Sequence, residues 1–222
     1  LDSLGNIYHK EKYILCNDKC KDITSKMLSL RNYWNKRNSI LYTLGKSSYL
    51  LDKIEINNIR KSNEFMKLHF SLLYTTLLEE LKNILNTDNV EYKQNSYLPG
   101  FHIFVPNKLF QYPLASFHID KQYLKNDWES NCDFNNSISF TMAVCLPKAS
   151  SGLYVFDANS NDSRTIAIKS NRSFIEYKIG KIVLHDGHNW HIMAPSKINK
   201  NEYRITLQGH GIKCNNKWFI YW

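Results

Sequence analysis

The stretch Ser116-Phe117-His118-Ile119-Asp120 places an imidazole and a carboxylate two residues apart. In a strand successive side chains point to opposite faces, so His118 and Asp120 share one face while Phe117 and Ile119 share the other. Two such groups on one rigid face reach a single metal ion together. A second His from elsewhere would complete a two-His-one-carboxylate set, which leaves positions on the metal open and suits Fe(II). His-x-Asp is a common pair, so it carries weight only with support downstream.

That support begins in residues 180–195, which read as an apolar strand, a tight turn at Asp186-Gly187 and a new strand opening with His191. Three imidazoles stand here. His185 ends the apolar run Ile182-Val183-Leu184, where a side chain fixes the hairpin. His188 lies within the turn, where the backbone is least able to hold a ligand to the tolerance a metal needs. His191 stands on a strand. Next, residues 202–210 read as another strand, on which Arg204, Thr206, Gln208 and His210 face one way. Four polar groups on one face make poor core, because buried polar groups need partners, but good lining for a polar cavity. Arg204 with Thr206 suits a carboxylate: a guanidinium fork for both oxygens and a hydroxyl donor.

The elements that must position these groups follow from periodicity. Residues 1–20 are polar and irregular. From Asp22, Ile23, Met27, Leu30 and Trp34 recur at helical steps, with Asp22 or Thr24 as the N-cap. Residues 40–50 read as a short extended piece broken at Gly45. Asn63 is expected to cap a long helix reaching about Asn86, with Phe65, Leu68, Leu72, Leu73, Leu77, Leu81 and Ile84 as its apolar face and His69 packed or at the surface. After residue 89 the period changes to two. Strands are expected at 90–94, 101–105, around His118 and Asp120, and at 138–146, 152–156, 165–168, 181–185, 191–193, 204–209 and 218–221. Short strands in series indicate a sandwich or barrel. The fold expected is α+β: residues 1–89 mainly helical, packed on a β core of residues 90–222, in one domain.

Composition sets the outer bounds. The net charge is +9, but Lys residues are scattered and no long basic run forms, so no nucleic-acid partner is expected. Five cysteines (Cys16, Cys20, Cys132, Cys145, Cys214) without a second pair at zinc-ribbon spacing read as reduced thiols of a cytoplasmic protein. No run of eighteen apolar residues and no signal peptide are visible, so no membrane partner is expected. Oligomeric state is left open.

In the order His118, Asp120, His191, Arg204, Thr206, the chain resembles the Fe(II)/2-oxoglutarate-dependent oxygenases. The resemblance covers roughly residues 95–222 and lies in order and spacing, since each motif alone is loose. It implies a double-stranded β-helix (jelly-roll) core and Fe(II) on His118, Asp120 and His191. It further implies 2-oxoglutarate chelating the iron, its far carboxylate on Arg204 and Thr206, and O2 as oxidant. The distal His of the family begins one strand and the Arg lies on the next, which selects His191 over His185 and His188.

Departures narrow the class. Asp120 occupies the position that halogenating members leave to Gly or Ala. His210 stands six residues after Arg204, where nucleic-acid demethylases carry a second Arg. Arg204 replaces the Lys of procollagen-type prolyl hydroxylases. The expected activity is hydroxylation of an unactivated C–H bond in a small molecule such as an amino acid or peptide-like natural product. The alternatives are a peptide or protein hydroxylase, and a cupin-like ligand-binding barrel without oxidative chemistry. His102, Trp190, the pair Gln122 and Tyr123, and a lid at Tyr42–Tyr49 stay open between cavity and packing roles.

Overall fold

The computed structural model describes residues 9–48, 55–112, 116–128, 131–149 and 151–222. In chain order the elements are β1 (His9–Tyr13), α1 (Asn17–Ser29), β2 (Asn35–Lys36), β3 (Leu41–Leu44), α2 (Ile56–Leu85), β4 (Val90–Tyr92), β5 (Gly100–Phe104), β6 (Cys132–Cys145), β7 (Gly152–Phe156), α3 (Arg164–Ala167), β8 (Arg172–Glu176), β9 (Lys181–Asp186), β10 (His191–Met193), β11 (Arg204–Cys214) and β12 (Lys217–Tyr221).

The strands form two sheets. In the larger, the order is β1-β9-β6-β11-β5-β3-β2, with β12 pairing both β11 and β4; in the smaller it is β10-β7-β8. His118 extends the smaller sheet by an isolated bridge to His191. From β5 to β11 the chain therefore alternates between sheets often enough to be consistent with the expected jelly roll. Ala143 and Val183 of the large sheet pack against Leu153, Val155, Ile175 and Tyr177 on the small-sheet side.

Alternation gives the large sheet two faces. Phe101, Ile103, Phe140, Met142, Ile205 and Leu207 point outward and bury against Met27, Met66, Leu77 and Leu81 of the helices. Their register neighbours His102, Thr141, Thr206 and Gln208 point the other way. The helices do pack on the outside of the sheet.

Several expected boundaries move. Within residues 1–20, 9–13 form β1, an edge strand whose Glu11 pairs with Lys181; residues 1–8 lie outside the described residues. Helix α1 begins at Asn17, not Asp22, and Thr24 bonds back to the Cys20 carbonyl at 2.8 Å instead of capping. It ends before Trp34, whose indole donates to the Met27 carbonyl at 3.1 Å and so satisfies a helix C-terminus. Helix α2 starts at Ile56, and Asn63 lies inside it. The Asn63 side chain instead donates to Ser96 O (2.9 Å) and accepts from Leu98 N (3.0 Å), tying the helix to the segment before β5.

The apolar face of α2 is also rotated from the expected one. Non-helical angles at Phe70 (φ −137°, ψ 29°) interrupt it, and Leu68 and Leu72 are 78% and 65% exposed while Met66, Phe70 and Tyr74 turn inward. Residues 165–168 are not a strand: Ser163 caps α3 by accepting from Ile166 N at 3.3 Å, and the cap outweighs the β-branched Thr165 and Ile166. Strand β8 was not anticipated. Of the extended piece 40–50, residues 41–44 are β3 and Gly45 has φ 85°; Tyr49 and Leu50 lie outside the described residues.

The thiols depart from expectation too. Cys132 and Cys214 are register partners on β6 and β11 and form a disulfide across 82 residues; Cys16, Cys20 and Cys145 are free. Sheet register, which linear spacing cannot show, brings the pair together. The cytoplasmic expectation rested on reduced thiols and loses that support. No described helix is long and apolar enough to cross a membrane.

Because Leu77 is fully buried and Leu72 is not, Leu77→Ala should cost about 2–5 kcal/mol in urea unfolding. Leu72→Ala should stay within about 0.5 kcal/mol. Equal losses would mean that α2 presents a different face to the sheet.

Candidate metal centre

His118 and Asp120 do not lie on a regular strand. Two backbone bonds between His118 and His191, 3.1 and 2.9 Å, fix the first, and Asp120 N donates to Gly187 O at 2.9 Å. The second contact needs the turn after β9 to press close to β6. A Cβ on Gly187 would sit 2.8 Å from Ser137 Oγ, so only glycine allows that approach without a shift.

Ligand-capable atoms of His118, Asp120 and His191 lie within 4.8 Å of one another. His118 Nε2 is 3.6 Å from Asp120 Oδ1 and His191 Nε2 is 3.5 Å from Asp120 Oδ2. Each ring has its Nδ1 against a carbonyl two residues back: Ser116 O at 2.7 Å and Asn189 O at 2.8 Å. A carbonyl only accepts, so both Nδ1 atoms carry the proton. Both Nε2 lone pairs then remain for a cation.

Asp120 is buried, and both its oxygens are occupied. Gln122 Nε2 donates to Oδ1 at 2.9 Å and Ser139 Oγ to Oδ2 at 2.6 Å. Burial pushes its pKa up, but the imidazoles of His191, His210, His118 and His185 outweigh that and hold the carboxyl well below the usual range. The imidazoles respond oppositely. Burial pushes His102 and His191 down to about 3, and lowers His185 and His210.

These groups line one cavity of about 620 Å3, together with Arg204, Gln208, Tyr177 and Arg37. Arg204 is 2% exposed; its Nε donates to Ser151 Oγ at 2.9 Å and its guanidinium lies over Phe104 and Tyr177, 4.8 and 5.5 Å from the ring centres. Among the described residues its Nη1 has no hydrogen-bond partner. Thr206 shares the inward face but is fully buried, and Gln208 Nε2 approaches its hydroxyl at 3.4 Å; Thr206 is not part of the cavity wall.

The other candidates separate cleanly. His185 lines the cavity, with its ring 4.8 Å from that of His191. The His188 ring is bonded to Phe134 O at 2.6 Å and is not in the wall. His102 is in the wall, beside Trp222 at 5.5 Å. Trp190 packs, stacked on Phe117 at 4.7 Å with its indole donating to Asn159 O. Gln122 faces the site, whereas Tyr123 stacks on Phe134. Tyr42 is outside the wall, and its neighbours Arg37, Asn38, Ile40 and Leu41 line the cavity in its place.

Ser139, Thr141, Ser151 and Tyr177 were missed. Ser137, Ser139 and Thr141 alternate with Ile138, Phe140 and Met142, so the same polar-face signal that marked β11 was present in β6.

No protein-family model matches the chain, and no curated protein matches it in sequence. Solved structures do match. An N-substituted L-amino acid dioxygenase from Burkholderia ambifaria, in complex with alpha-ketoglutarate, aligns over 96% of this chain and 85% of its own at TM-score 0.56 and 10% identity. A 2OG-Fe(II) oxygenase family oxidoreductase from Burkholderia pseudomallei aligns over 97% and 89% at 0.56 and 10%. The alpha-ketoglutarate-dependent carbocyclase SnoK of nogalamycin biosynthesis aligns over 95% and 83% at 0.52 and 8%. At these identities the likeness establishes a shared fold: the chain has the fold of 2-oxoglutarate/Fe(II) oxygenase structures.

Neutral His102 makes stability depend on pH. A histidine with a lowered folded pKa binds fewer protons folded than unfolded. Its contribution is therefore complete above about pH 6.5 and drains away as pH falls toward about 3. Metal-free protein should lose urea resistance between neutral pH and about pH 4.5, and His102→Gln should reduce that loss without abolishing it, because His191, His185 and His210 are lowered by burial too. Parallel losses in both proteins would remove His102 from the account.

Proposed function

We propose that this chain is an Fe(II)- and 2-oxoglutarate-dependent oxygenase that hydroxylates an unactivated C–H bond of a small molecule, such as an amino acid or peptide-like natural product. The observation that carries the reading is one cavity holding both a two-His-one-carboxylate cluster and a buried guanidinium with an unpartnered nitrogen. The donor set fits the metal: two neutral imidazoles with free Nε2 atoms and one ionised carboxylate leave open positions. The unpartnered Nη1 of Arg204 fits an anion.

In this reading Fe(II) is held by His118, Asp120 and His191. When bound, iron with 2-oxoglutarate and O2 supplies the oxidising power for C–H cleavage, the cosubstrate leaving as succinate and CO2. The chain's own residues supply the rest. Ser116 O and Asn189 O orient the imidazoles, and Gln122 and Ser139 orient the carboxylate. Arg204 receives the far carboxylate of 2-oxoglutarate; Thr206, on the same face, is fully buried and outside the cavity wall. Phe104, Phe110, Leu153 and Met193 keep the wall apolar and limit water.

A cavity of about 620 Å3 favours a small molecule, and one protein that shares the fold is an N-substituted L-amino acid dioxygenase. The scattered charge speaks against nucleic acid. The shared fold of the carbocyclase keeps other oxidative outcomes within the same chemistry.

The deciding experiment is anaerobic titration with Fe(II) and then 2-oxoglutarate, followed by a screen of small-molecule pools for succinate formation. One iron per chain and a weak visible charge-transfer band are expected. Iron binding with no spectral response to 2-oxoglutarate would favour the ligand-binding barrel.

Variants divide the roles. His191→Ala should abolish iron binding, and His188→Ala should retain it because that ring bonds Phe134 O outside the wall. Arg204→Leu should weaken 2-oxoglutarate binding by about 2–5 kcal/mol while sparing iron, with Arg204→Lys between. Loss of iron in both Arg204 variants would make that residue structural.

A further inference from the structure

We propose that His210 is a positioning residue for the metal-binding carboxylate, acting on Asp120 through the Ser139 hydroxyl; this rests on the metal centre proposed above. His210 and Ser139 are register partners across β11 and β6. His210 Nδ1 is 3.0 Å from Ser139 Oγ, which is 2.6 Å from Asp120 Oδ2. His210 Nδ1 itself stands 3.8 Å from Oδ2, beyond hydrogen-bond reach. The contact is therefore relayed.

The direction of the relay follows from counting hydrogens. Ionised Asp120 can only accept, and Ser139 has one hydroxyl hydrogen. That hydrogen must lie between Oγ and Oδ2, since two acceptors 2.6 Å apart would otherwise repel. Ser139 then meets His210 as an acceptor, so His210 Nδ1 must carry a proton. The order is His210 Nδ1–H to Ser139 Oγ, then Ser139 Oγ–H to Asp120 Oδ2. Accepting from His210 polarises the hydroxyl and strengthens its donation to the carboxylate.

The surroundings hold the relay still. Ser139, His210 and Asp120 are 3%, 8% and 7% exposed, so the hydroxyl is largely shielded from bulk solvent. Tyr221 is the register partner of His210 on its other side, with its ring 5.8 Å away. Gln122 donates to the opposite oxygen. The carboxylate is thus gripped at both ends and cannot rotate to present a different lone pair.

The test uses Co(II) as a d–d spectroscopic probe under anaerobic conditions, without cosubstrate, alongside nitrogen chemical shifts of the metal-free protein. Ser139→Ala and His210→Leu should each weaken Co(II) binding about 10–100-fold, the usual effect of losing a partner to a metal ligand. The double variant should be no weaker than the poorer single one, because the two act as a unit. His210→Asn, which returns an N–H donor near the Nδ1 position, should recover affinity to within about threefold of wild type. In the metal-free protein the His210 shifts should report the Nδ1–H tautomer.

An Nε2–H tautomer, an additive double variant, or His210→Asn binding no better than His210→Leu would overturn the relay. So would His210→Leu binding as wild type does. Failure of the unaltered protein to bind Co(II) would overturn the metal centre itself, and the relay with it. Thermal midpoints of each variant identify any that fail to fold, and the tautomer measurement in the unaltered chain is independent of them.

Discussion

A carboxylate taken out of water has to be met by donors or cations, and the core of this protein is arranged around meeting that demand for Asp120. An ion buried to 7% exposure costs several kcal/mol unless its lone pairs are occupied. The side-chain donors come from two places, Ser139 on β6 and Gln122 just after the His-x-Asp stretch, and the nearby imidazoles of β9, β10 and β11 act on the carboxylate electrostatically. The backbone at Asp120 is anchored to Gly187 in the turn between β9 and β10. The carboxylate can be ionised where it stands only if all these segments are in register at once.

That register is stabilised from the opposite face. Phe101, Phe140, Met142, Ile205 and Leu207 bury against α1 and α2, and they alternate with the polar residues of the cavity wall. A one-residue slip in β11 would drive Arg204, Thr206 and Gln208 into the helix interface and expose Ile205 and Leu207 to the cavity. Helix packing thus supplies the free energy that the polar inner face cannot. The same alternation gives the cavity its chemistry and the fold its stability. This is why a chain with no detectable family match in sequence can still share the fold of oxygenase structures at about 10% identity.

How much of this was legible depends on whether the signal was local. The two-residue period of β11 and the order His118, Asp120, His191, Arg204 could be read directly, and so could an apolar helix around Leu77 and Leu81. The disulfide between Cys132 and Cys214 could not, because it depends on the pairing of β6 with β11 across 82 residues. The start of α1 at Asn17 was hidden because no side chain caps it. Residues 165–168 look like a strand by β-branching, and only the Ser163 cap, weighed against it, reveals the helix. Ser139 is hidden for a different reason: its face of β6 is as polar as that of β11, but a buried hydroxyl is easily satisfied by neighbouring backbone, so it marks a site less sharply than a guanidinium or an imidazole does.

Arg204 completes the electrostatic picture. Its guanidinium is almost wholly buried on Ser151, Phe104 and Tyr177, and among the described residues it makes no ion pair. A hydroxyl and two ring faces do not repay the desolvation of a full charge, and burial accordingly lowers its pKa. A cation left in that condition inside a cavity raises the affinity for an anion of matching shape, because the protein has already met the desolvation cost when it folded. Asp120 is not that anion: its close charged neighbours are His118, His191 and His210, and no ion pair joins it to Arg204 among the described residues. The two charged ends of the cavity are therefore not partners for each other. In the proposed reading each end takes something from outside, a cation at Asp120 and an anion at Arg204, and a single ligand that binds a metal at one end and carries a carboxylate at the other would satisfy both.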